Sequence, residues 1–182
     1  MHIRASMCRG MPVIDDGTQE IVALLADPVL DPDTGSIQGF FVFGMLSRGT
    51  LFLQTQDIVG WGLQVHIRSE DRLAPPEEIV RLRRLFADRR SILRQPIRTH
   101  GSNTVLGRCD DIQFNTHHFT LEWLFPRKFF LYRQPVSAGD IIEVTDDAVV
   151  VNDPLRPTKV RGRKKVAEEA NEAMVTEVMP AA

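Results

Sequence analysis

Residues 21–45 read IVALLADPVL, DPDTGS and IQGFFVFGM in succession, so two apolar runs flank a polar segment. β-Branched and aromatic residues are frequent in these runs, as is typical of buried strands. The segment DPDTG at residues 31–35 has proline in its second position and glycine at its end. Both residues favour a tight turn. The sequence therefore predicts a β-hairpin with strands over residues 21–30 and 37–45.

Further strand-like segments follow this hairpin, and the whole pattern recurs later in the chain. The chain aligns with itself at an offset of 84 residues, where apolar and turn positions coincide. The aligned pairs include Pro12 with Pro96, Val13 with Ile97, Leu25 with Cys109, Asp27 with Asp111 and Val65 with Val149. The other predicted strands are residues 51–53, 57–59, 63–67, 104–114, 119–125, 128–132, 140–144 and 148–151. Many short strands in each copy suggest a small closed or nearly closed barrel.

The alignment predicts a mainly β protein with two copies of one domain, over residues 1–74 and 94–153. Between them, residues 75–93 begin with PPEE, and proline and acidic residues favour a helix N-terminus. Apolar residues recur there at helical spacing, at Ile79, Leu82 and Phe86. We therefore expect a single amphipathic linker helix over residues 75–93.

The segment 154–182 differs in composition from the rest of the chain. Pro154 and Pro157 separate it from the last predicted strand, and KVRGRKK at residues 159–165 has five cations in seven residues. The remainder is acidic and only weakly apolar, and an isolated helix this short is marginal in water. We expect a flexible C-terminal tail that is first basic and then acidic.

The first copy resembles the PRC-barrel family in the order of its motifs. GMPV at residues 10–13 opens the copy, the DPDTG turn joins two apolar strands, and DIV at residues 57–59 follows. The second copy has NTHH at residues 115–118 in place of the glycine-ended turn. PRC-barrels are small β-barrels found in the cytoplasmic part of the photosynthetic reaction-centre H subunit. The C-terminal part of a bacterial ribosome maturation factor has a similar module.

The resemblance spans residues 10–153 and implies two PRC-type β-barrels in tandem, joined by the linker helix and followed by the flexible tail. We expect neither the transmembrane helix that precedes the barrel of the H subunit nor the separate β domain of the ribosome factor. The family implies a non-catalytic binding or assembly module. It supplies no catalytic, cofactor-binding or metal-binding residues.

Composition and charge exclude several classes of protein. The 22 Lys and Arg against 24 Asp and Glu give a net charge of −2, which argues against a nucleic-acid or acidic-lipid binder along the whole chain. The apolar stretch 39–46 is shorter than the ~20 residues that span a bilayer. Residues 1–14 lack the apolar core of a secretory signal. Two cysteines provide neither a disulfide framework nor a four-ligand zinc site. We expect a cytoplasmic protein without a membrane span.

Candidate catalytic and metal-binding residues have simpler structural interpretations. His117 and His118 are adjacent, so in extended chain they point to opposite faces and cannot chelate one ion. The DPDTG turn lacks the later ligands of a calcium loop. Cys109 takes the place of Leu25, which indicates a buried apolar residue. No nucleophile elbow or Walker loop is present. We expect no enzyme and no cofactor; an unrecognised site around His100, Cys109 and acids is the alternative.

Two tryptophans and two groups of cations are the candidate partner-binding residues. They are Trp61, Trp123, Arg81 and Arg84, with Arg161, Arg163, Lys164 and Lys165 in the tail. Aromatic residues often anchor interfaces, although core packing is their commoner role. Clustered cations attract anionic partners, although many are simply solvated. The main hypothesis is an unidentified protein partner, with the chain as an intramolecular pseudo-dimer or a homodimer. The alternative is an RNA or ribosome-associated factor using the tail and linker arginines.

Overall fold

The structure, a computed structural model, describes residues 1–45 and 49–153. Met1–Asn152 form one compact unit that is mainly β, with two sheets, so the predicted class is confirmed at this level. The predicted tail, with Arg161, Arg163, Lys164 and Lys165, lies outside the described residues.

Strands occupy about half of the described residues, and the α-helices are short. The strands are β1 (His2–Arg4), β2 (Pro12–Asp15), β3 (Ile21–Leu30), β4 (Ile37–Gly44), β5 (Thr50–Gln54), β6 (Ile58–Trp61), β7 (Val65–Ile67), β8 (Pro96–Thr99), β9 (Val105–Asn115), β10 (Thr120–Lys128), β11 (Leu131–Tyr132), β12 (Val136–Ser137), β13 (Ile141–Val144) and β14 (Val149–Val151). The α-helices are α1 (Ala5–Cys8) and α2 (Arg83–Ala87).

The two sheets have equivalent strand orders. The first runs β5-β4-β3-β2-β7-β6, and the second runs β11-β10-β9-β8-β14-β13. In each, one parallel pair (β2 with β7, β8 with β14) joins two antiparallel sets of strands. Among the described residues, neither sheet closes into a barrel by pairing its edge strands.

Backbone hydrogen bonds in the two sheets also recur at the offset of 84 residues. Gly10 N donates to Leu25 O over 2.7 Å, and Arg94 N donates to Cys109 O over the same distance. Gly10 and Arg94 both have positive φ angles, of 82° and 66°. The parallel registers pair Val13 with Val65 in the first sheet and Ile97 with Val149 in the second. The offset found in the sequence therefore relates equivalent backbone positions.

The turn of the first hairpin has a counterpart in the second sheet despite its different sequence. Asp31 Oδ1 accepts hydrogen bonds from the backbone of Asp33 and Thr34, and Asn115 Oδ1 accepts them from His117 and His118. Gly35 closes the first turn with a φ of 68°, and Phe119 closes the second with a φ of 52°. The Asx side chain thus produces the turn in both copies, and a bulky residue occupies the glycine position in the second.

The two turns contact each other through backbone hydrogen bonds. Ile37 N donates to Phe119 O over 2.7 Å, and Leu121 N donates to Gly35 O over 2.9 Å. The two donors, Ile37 and Leu121, are 84 positions apart, and so are the two acceptors, Gly35 and Phe119. The pairing is therefore reciprocal, as at the interface of a two-fold symmetric dimer.

One hydrophobic core lies between the two sheets. It combines fully buried residues from the first sheet, such as Val13 and Phe40, with residues from the second, such as Ile97 and Phe114. The Phe40 and Phe114 rings lie 5.8 Å apart at their centroids. Because apolar surface from both copies is buried in this one cluster, removing either sheet would expose the other.

The linker differs from the single helix predicted over residues 75–93. It consists of two 3-10 turns, Pro76–Glu78 and Val80–Leu82, followed by the five-residue α2. Ile79 interrupts the helical backbone with a ψ of 80° and packs with Leu82 against Phe52, on the opposite side of β5 from the main core. This packing outweighs the helical preference of the sequence.

The N-terminal boundary also differs from the predicted domain over residues 1–74. Strand β1 pairs with β9 of the second sheet, with Ile3 opposite Phe114. Strand β10 occupies one edge of β9, and β8 covers only its beginning on the other edge. The unpaired end of that edge has backbone groups that need partners, and β1 provides them.

Candidate binding surfaces

Trp61 lies at the join between the two sheets. Its ring is 5.3 Å from Phe40, 5.9 Å from Phe114 and 5.8 Å from Phe119, measured between centroids. Aromatic rings at these separations and tilts stabilise one another beyond simple burial. Trp61 therefore packs against the shared core, unlike the outward-facing anchor expected of a partner-binding residue.

Trp123 lies on strand β10 and is 41% exposed. It borders an open groove of about 520 Å³, whose polar lining includes His2, Gln113, Glu122 and Ser137. His2 Nδ1 lies 2.7 Å from Glu122 Oε2, and this contact joins β1 to β10. Of the two predicted tryptophans, Trp123 is the one available to a partner.

The linker arginines border a cleft of mixed charge. Arg81 Nη2 donates to Gln54 Oε1 over 2.7 Å. The cleft, of about 460 Å³, is lined by Arg81, Arg84, Asp31, Asp33, Asp88 and Arg90, among others. The structure thus brings Arg81 and Arg84 together, but three carboxylates share their cleft and oppose the attraction of a nucleic acid.

Arg90 bridges the linker and the first hairpin turn. Its guanidinium donates to Asp33 through Nη1 over 2.5 Å and through Nη2 over 3.0 Å, and to Asp88 through Nη2 over 2.8 Å. Hydrogen bonds from Arg90 hold the pKa of Asp33 and of Asp88 below the ordinary value of 3.8. Hydrogen bonds to Asp33 and then Asp88 raise the pKa of Arg90. This bridge holds the linker against the turn.

The bridge predicts a pH-dependent effect of Arg90→Gln. Because the pKa of both carboxyls is lowered in the folded state, the stabilisation is present above the unfolded pKa of 3.8 and lost as the pH falls through the folded values. We expect Arg90→Gln to lower the melting temperature at neutral pH and to have a shrinking effect below pH 3.8. Calorimetry across this range measures it, with exposed Arg89→Gln as the control. An effect of Arg90→Gln that is constant with pH would contradict the bridge.

The two cysteines are free and buried, as predicted for Cys109. Desolvation by burial, with a smaller effect of the Asp111 carboxylate, raises the pKa of Cys8 to about 12. Burial is also the largest influence on Cys109, and it raises the pKa of that thiol to about 12. A nucleophilic cysteine needs a lowered pKa and access to solvent, so neither thiol has the character of a nucleophile.

His117 and His118 lie in the turn that Asn115 organises, and their rings are 4.8 Å apart at the centroids. In the part of the chain that the structure describes, no group of three His, Cys, Asp or Glu side chains is arranged to hold a metal ion. The DPDTG carboxylate Asp31 accepts backbone hydrogen bonds from its own turn.

The hairpin that joins β10 to β11 exposes four large apolar side chains in succession. We call these residues, 129–132, the FFLY tip. Phe129 is 84% exposed, Phe130 88%, Leu131 66% and Tyr132 60%. The single strand predicted over residues 128–132 is not formed, since β10 ends at Lys128 and β11 contains only Leu131–Tyr132, and that prediction did not include this surface. Its signal is the absence of apolar–polar alternation in RKFFLYR, where cations flank an unbroken apolar run.

The comparisons with known proteins leave the family of the chain open. No protein-family model matches the sequence, and no curated protein matches it significantly. Within the described residues, no helix has the length and apolar character needed to cross a membrane.

Proposed function

We propose that the chain is a non-catalytic binding or assembly module of tandem PRC-barrel type that works in the cytoplasm. Two copies of one module are supported by the equivalent strand orders and by the hydrogen bonds that recur 84 residues apart. The open sheets depart from a closed barrel. In this proposal the two copies form an intramolecular pseudo-dimer that replaces closure of each copy by a shared core.

The exposure of the FFLY tip is the observation that carries the binding function. Single exposed apolar side chains are common on protein surfaces and need no explanation. Four consecutive ones, each at least 60% exposed, expose a contiguous apolar surface that water solvates poorly. A partner that covers the tip would recover this free energy, while the two-sheet core holds the hairpin in position.

Affinity capture tests the binding function directly. We expect the full chain to recover at least one component from extract of its native cell, soluble or membrane, that the double variant Phe129→Ser, Phe130→Ser does not recover. The side chains removed are exposed, so the variant should fold normally. Leu63→Ser, at a 94% exposed position in the first copy, is the matched control and should recover the same component as the unmodified chain. Identical captures by the double variant and the unmodified chain would refute binding through the tip.

The RNA or ribosome-associated alternative has weaker support. Its linker arginines, Arg81 and Arg84, share their cleft with the three carboxylates described above. The remaining cations, at residues 159–165, lie outside the described residues. The exposed FFLY tip is therefore the better-supported binding element.

A further inference from the structure

We propose that the FFLY tip docks the protein on an anionic lipid surface, with its apolar side chains inserted at the interface and the neighbouring cations on the lipid phosphates. This inference deepens the proposed binding function and rests on it, since it names the partner of the same surface. It concerns peripheral attachment, in which one hairpin enters the headgroup region and the rest of the chain stays in water.

The local structure places the two phenylalanines at the extreme end of the hairpin. Lys128 pairs with Leu131 as the last residue pair of β10 and β11, so Phe129 and Phe130 form a two-residue loop. Such loops favour glycine, asparagine or aspartate, and Phe129 has a left-handed φ of 57°, where a bulky residue is unfavourable. The rings also gain little burial in return, because both are more than 80% exposed. These residues are unfavourable both for the conformation of the turn and for exposure to water, which indicates a binding role for the tip.

Cations flank the tip in the sequence, and another lies on the neighbouring strand. Residues 125–135 contain Arg127, Lys128 and Arg133 and no acidic residue. Exposed Arg108 lies opposite Arg127 on the neighbouring strand β9. Asp110 accepts hydrogen bonds from Arg127, over 3.4 Å, and from Tyr132, over 3.1 Å, and so neutralises part of this charge. The hairpin region remains positive.

This local charge contrasts with the charge of residues 1–153 as a whole. Residues 1–153 contain 16 Lys and Arg against 20 Asp and Glu, so the body as a whole is acidic. An anionic membrane would therefore repel most of the body and attract the hairpin. The charge distribution orients the protein with the FFLY tip toward the lipid, and attraction to the phosphates falls off within about 10 Å in ordinary salt.

The shape and chemistry of the tip favour lipid over the other classes of partner. The side chains lie at the exposed end of a hairpin, and a bilayer accepts such an apolar element without a matching cavity. Phenylalanine, leucine and tyrosine beside arginine and lysine are typical of segments that insert at the boundary between headgroups and acyl chains. Single-stranded RNA also stacks its bases on aromatic side chains, but it is bound along a positively charged groove, whereas these side chains lie at the end of a hairpin.

Vesicle co-sedimentation with the full chain tests the proposal. We expect the chain to sediment with vesicles of phosphatidylcholine and phosphatidylglycerol in equal parts, and much less with vesicles of phosphatidylcholine alone. Phe129→Ser with Phe130→Ser should weaken binding about a hundredfold or more, because burial of each ring is worth roughly a factor of ten or more. Lys128→Gln with Arg133→Gln should weaken binding to the anionic vesicles roughly tenfold or more. Added salt should also weaken this binding.

Matched variants separate insertion from general stickiness and from misfolding. Leu63→Ser should leave vesicle binding unchanged, and Phe130→Leu should retain most of it. In Phe130→Trp, the fluorescence emission of the new tryptophan should shift to shorter wavelength when anionic vesicles are added, as expected for an indole that leaves water. Vesicle binding that is unaffected by the double serine variant would overturn the proposal.

Two further outcomes would overturn lipid docking and leave the proposed binding function intact. A protein recovered by tip-dependent capture, with no sedimentation on anionic vesicles, would leave a binding module with a protein partner. Tip-dependent binding of a single-stranded RNA oligonucleotide, again without vesicle binding, would make the partner a nucleic acid. Absence of any tip-dependent partner in capture is the separate result that would refute the proposed function itself.

Discussion

Replacement of Gly39 by alanine is expected to lower the melting temperature by roughly 6–12 °C, corresponding to about 3 kcal/mol for a domain of this size. Gly39 lies in strand β4, next to the edge strand β5, and is paired with Val29 on β3 and Gln54 on β5. A Cβ atom at this position would lie 2.3 Å from Leu53 O and 2.4 Å from Phe52 Cζ. The carbonyl oxygen belongs to the paired backbone of the neighbouring strand, so relief of the clash requires the strands to separate.

Gly60→Ala is the control for this effect, since Gly60 also lies in a strand, β6, and is not in the left-handed region. Its nearest neighbour for an added Cβ is the Cβ of His66, at an ordinary 3.5 Å. We expect the melting temperature of Gly60→Ala to change little, because loss of flexibility in the unfolded chain offsets small costs in the folded one. Calorimetry on both variants gives the comparison. Equal melting temperatures for Gly39→Ala and the unmodified chain would show that β4 and β5 pack less closely than described.

The first hairpin could be predicted closely because its determinants are local. The apolar run of Ile21–Leu30 matches strand β3 at both ends, and β4 ends one residue before the predicted boundary at Met45. The DPDTG turn forms through hydrogen bonds of Asp31 with its own neighbours and the positive φ of Gly35. Strand period and turn chemistry act over a few residues, so the sequence expresses them directly.

The features that could not be predicted depend on contacts between distant segments. Strand β1 joins the second sheet because β9 is long enough to leave part of one edge open. The linker loses its single helix because Ile79 and Leu82 pack on Phe52, which lies in a different strand. Periodicity within a segment contains no information on which distant surface will bury it, so tertiary packing decides both cases.

The candidate site shows the same division between local and distant causes. Residues 61 and 123 are both tryptophan, so the sequence predicts both as candidate partner-binding residues. The assembled sheets place Trp61 beside Phe40 and leave Trp123 at the border of a groove. The FFLY tip was visible in the sequence as an unbroken apolar run between cations. It resembled a buried strand because exposure is a property of the fold, which the run alone does not specify.

The thiols of Cys8 and Cys109 are expected to react with Ellman's reagent at pH 8 at least about a thousandfold more slowly in the folded protein than in the denatured one. Burial raises the pKa of each thiol from 9.0 to about 12, which lowers the thiolate fraction by about this factor at pH 8. Exclusion of the reagent from two side chains of zero solvent exposure slows the reaction further.

An engineered thiol provides the internal standard for that measurement. Leu63→Cys adds a thiol at a 94% exposed position and should give one rapid equivalent in the folded protein, with two more only after denaturant is added. Rapid reaction of two equivalents in the unmodified folded chain would show that the core between the sheets opens readily. Such opening would also weaken the case for a shared core that holds the two copies together.

The raised pKa of these thiols further predicts loss of stability in alkali. A folded pKa of about 12, above the unfolded value of 9.0, means that the neutral thiol is favoured by folding. The stabilisation is complete below pH 9.0 and is lost as the pH rises toward 12, by about 1.4 kcal/mol per pH unit for each thiol. Urea unfolding of the unmodified chain should therefore become easier between pH 9 and 11, in addition to any effect of Lys or Tyr ionisation. The double variant Cys8→Ala, Cys109→Ala should be less stable at pH 8 but should have a shallower pH dependence above 9. The same slope in both proteins would mean that the thiols stay neutral in the unfolded chain or are already ionised in the fold.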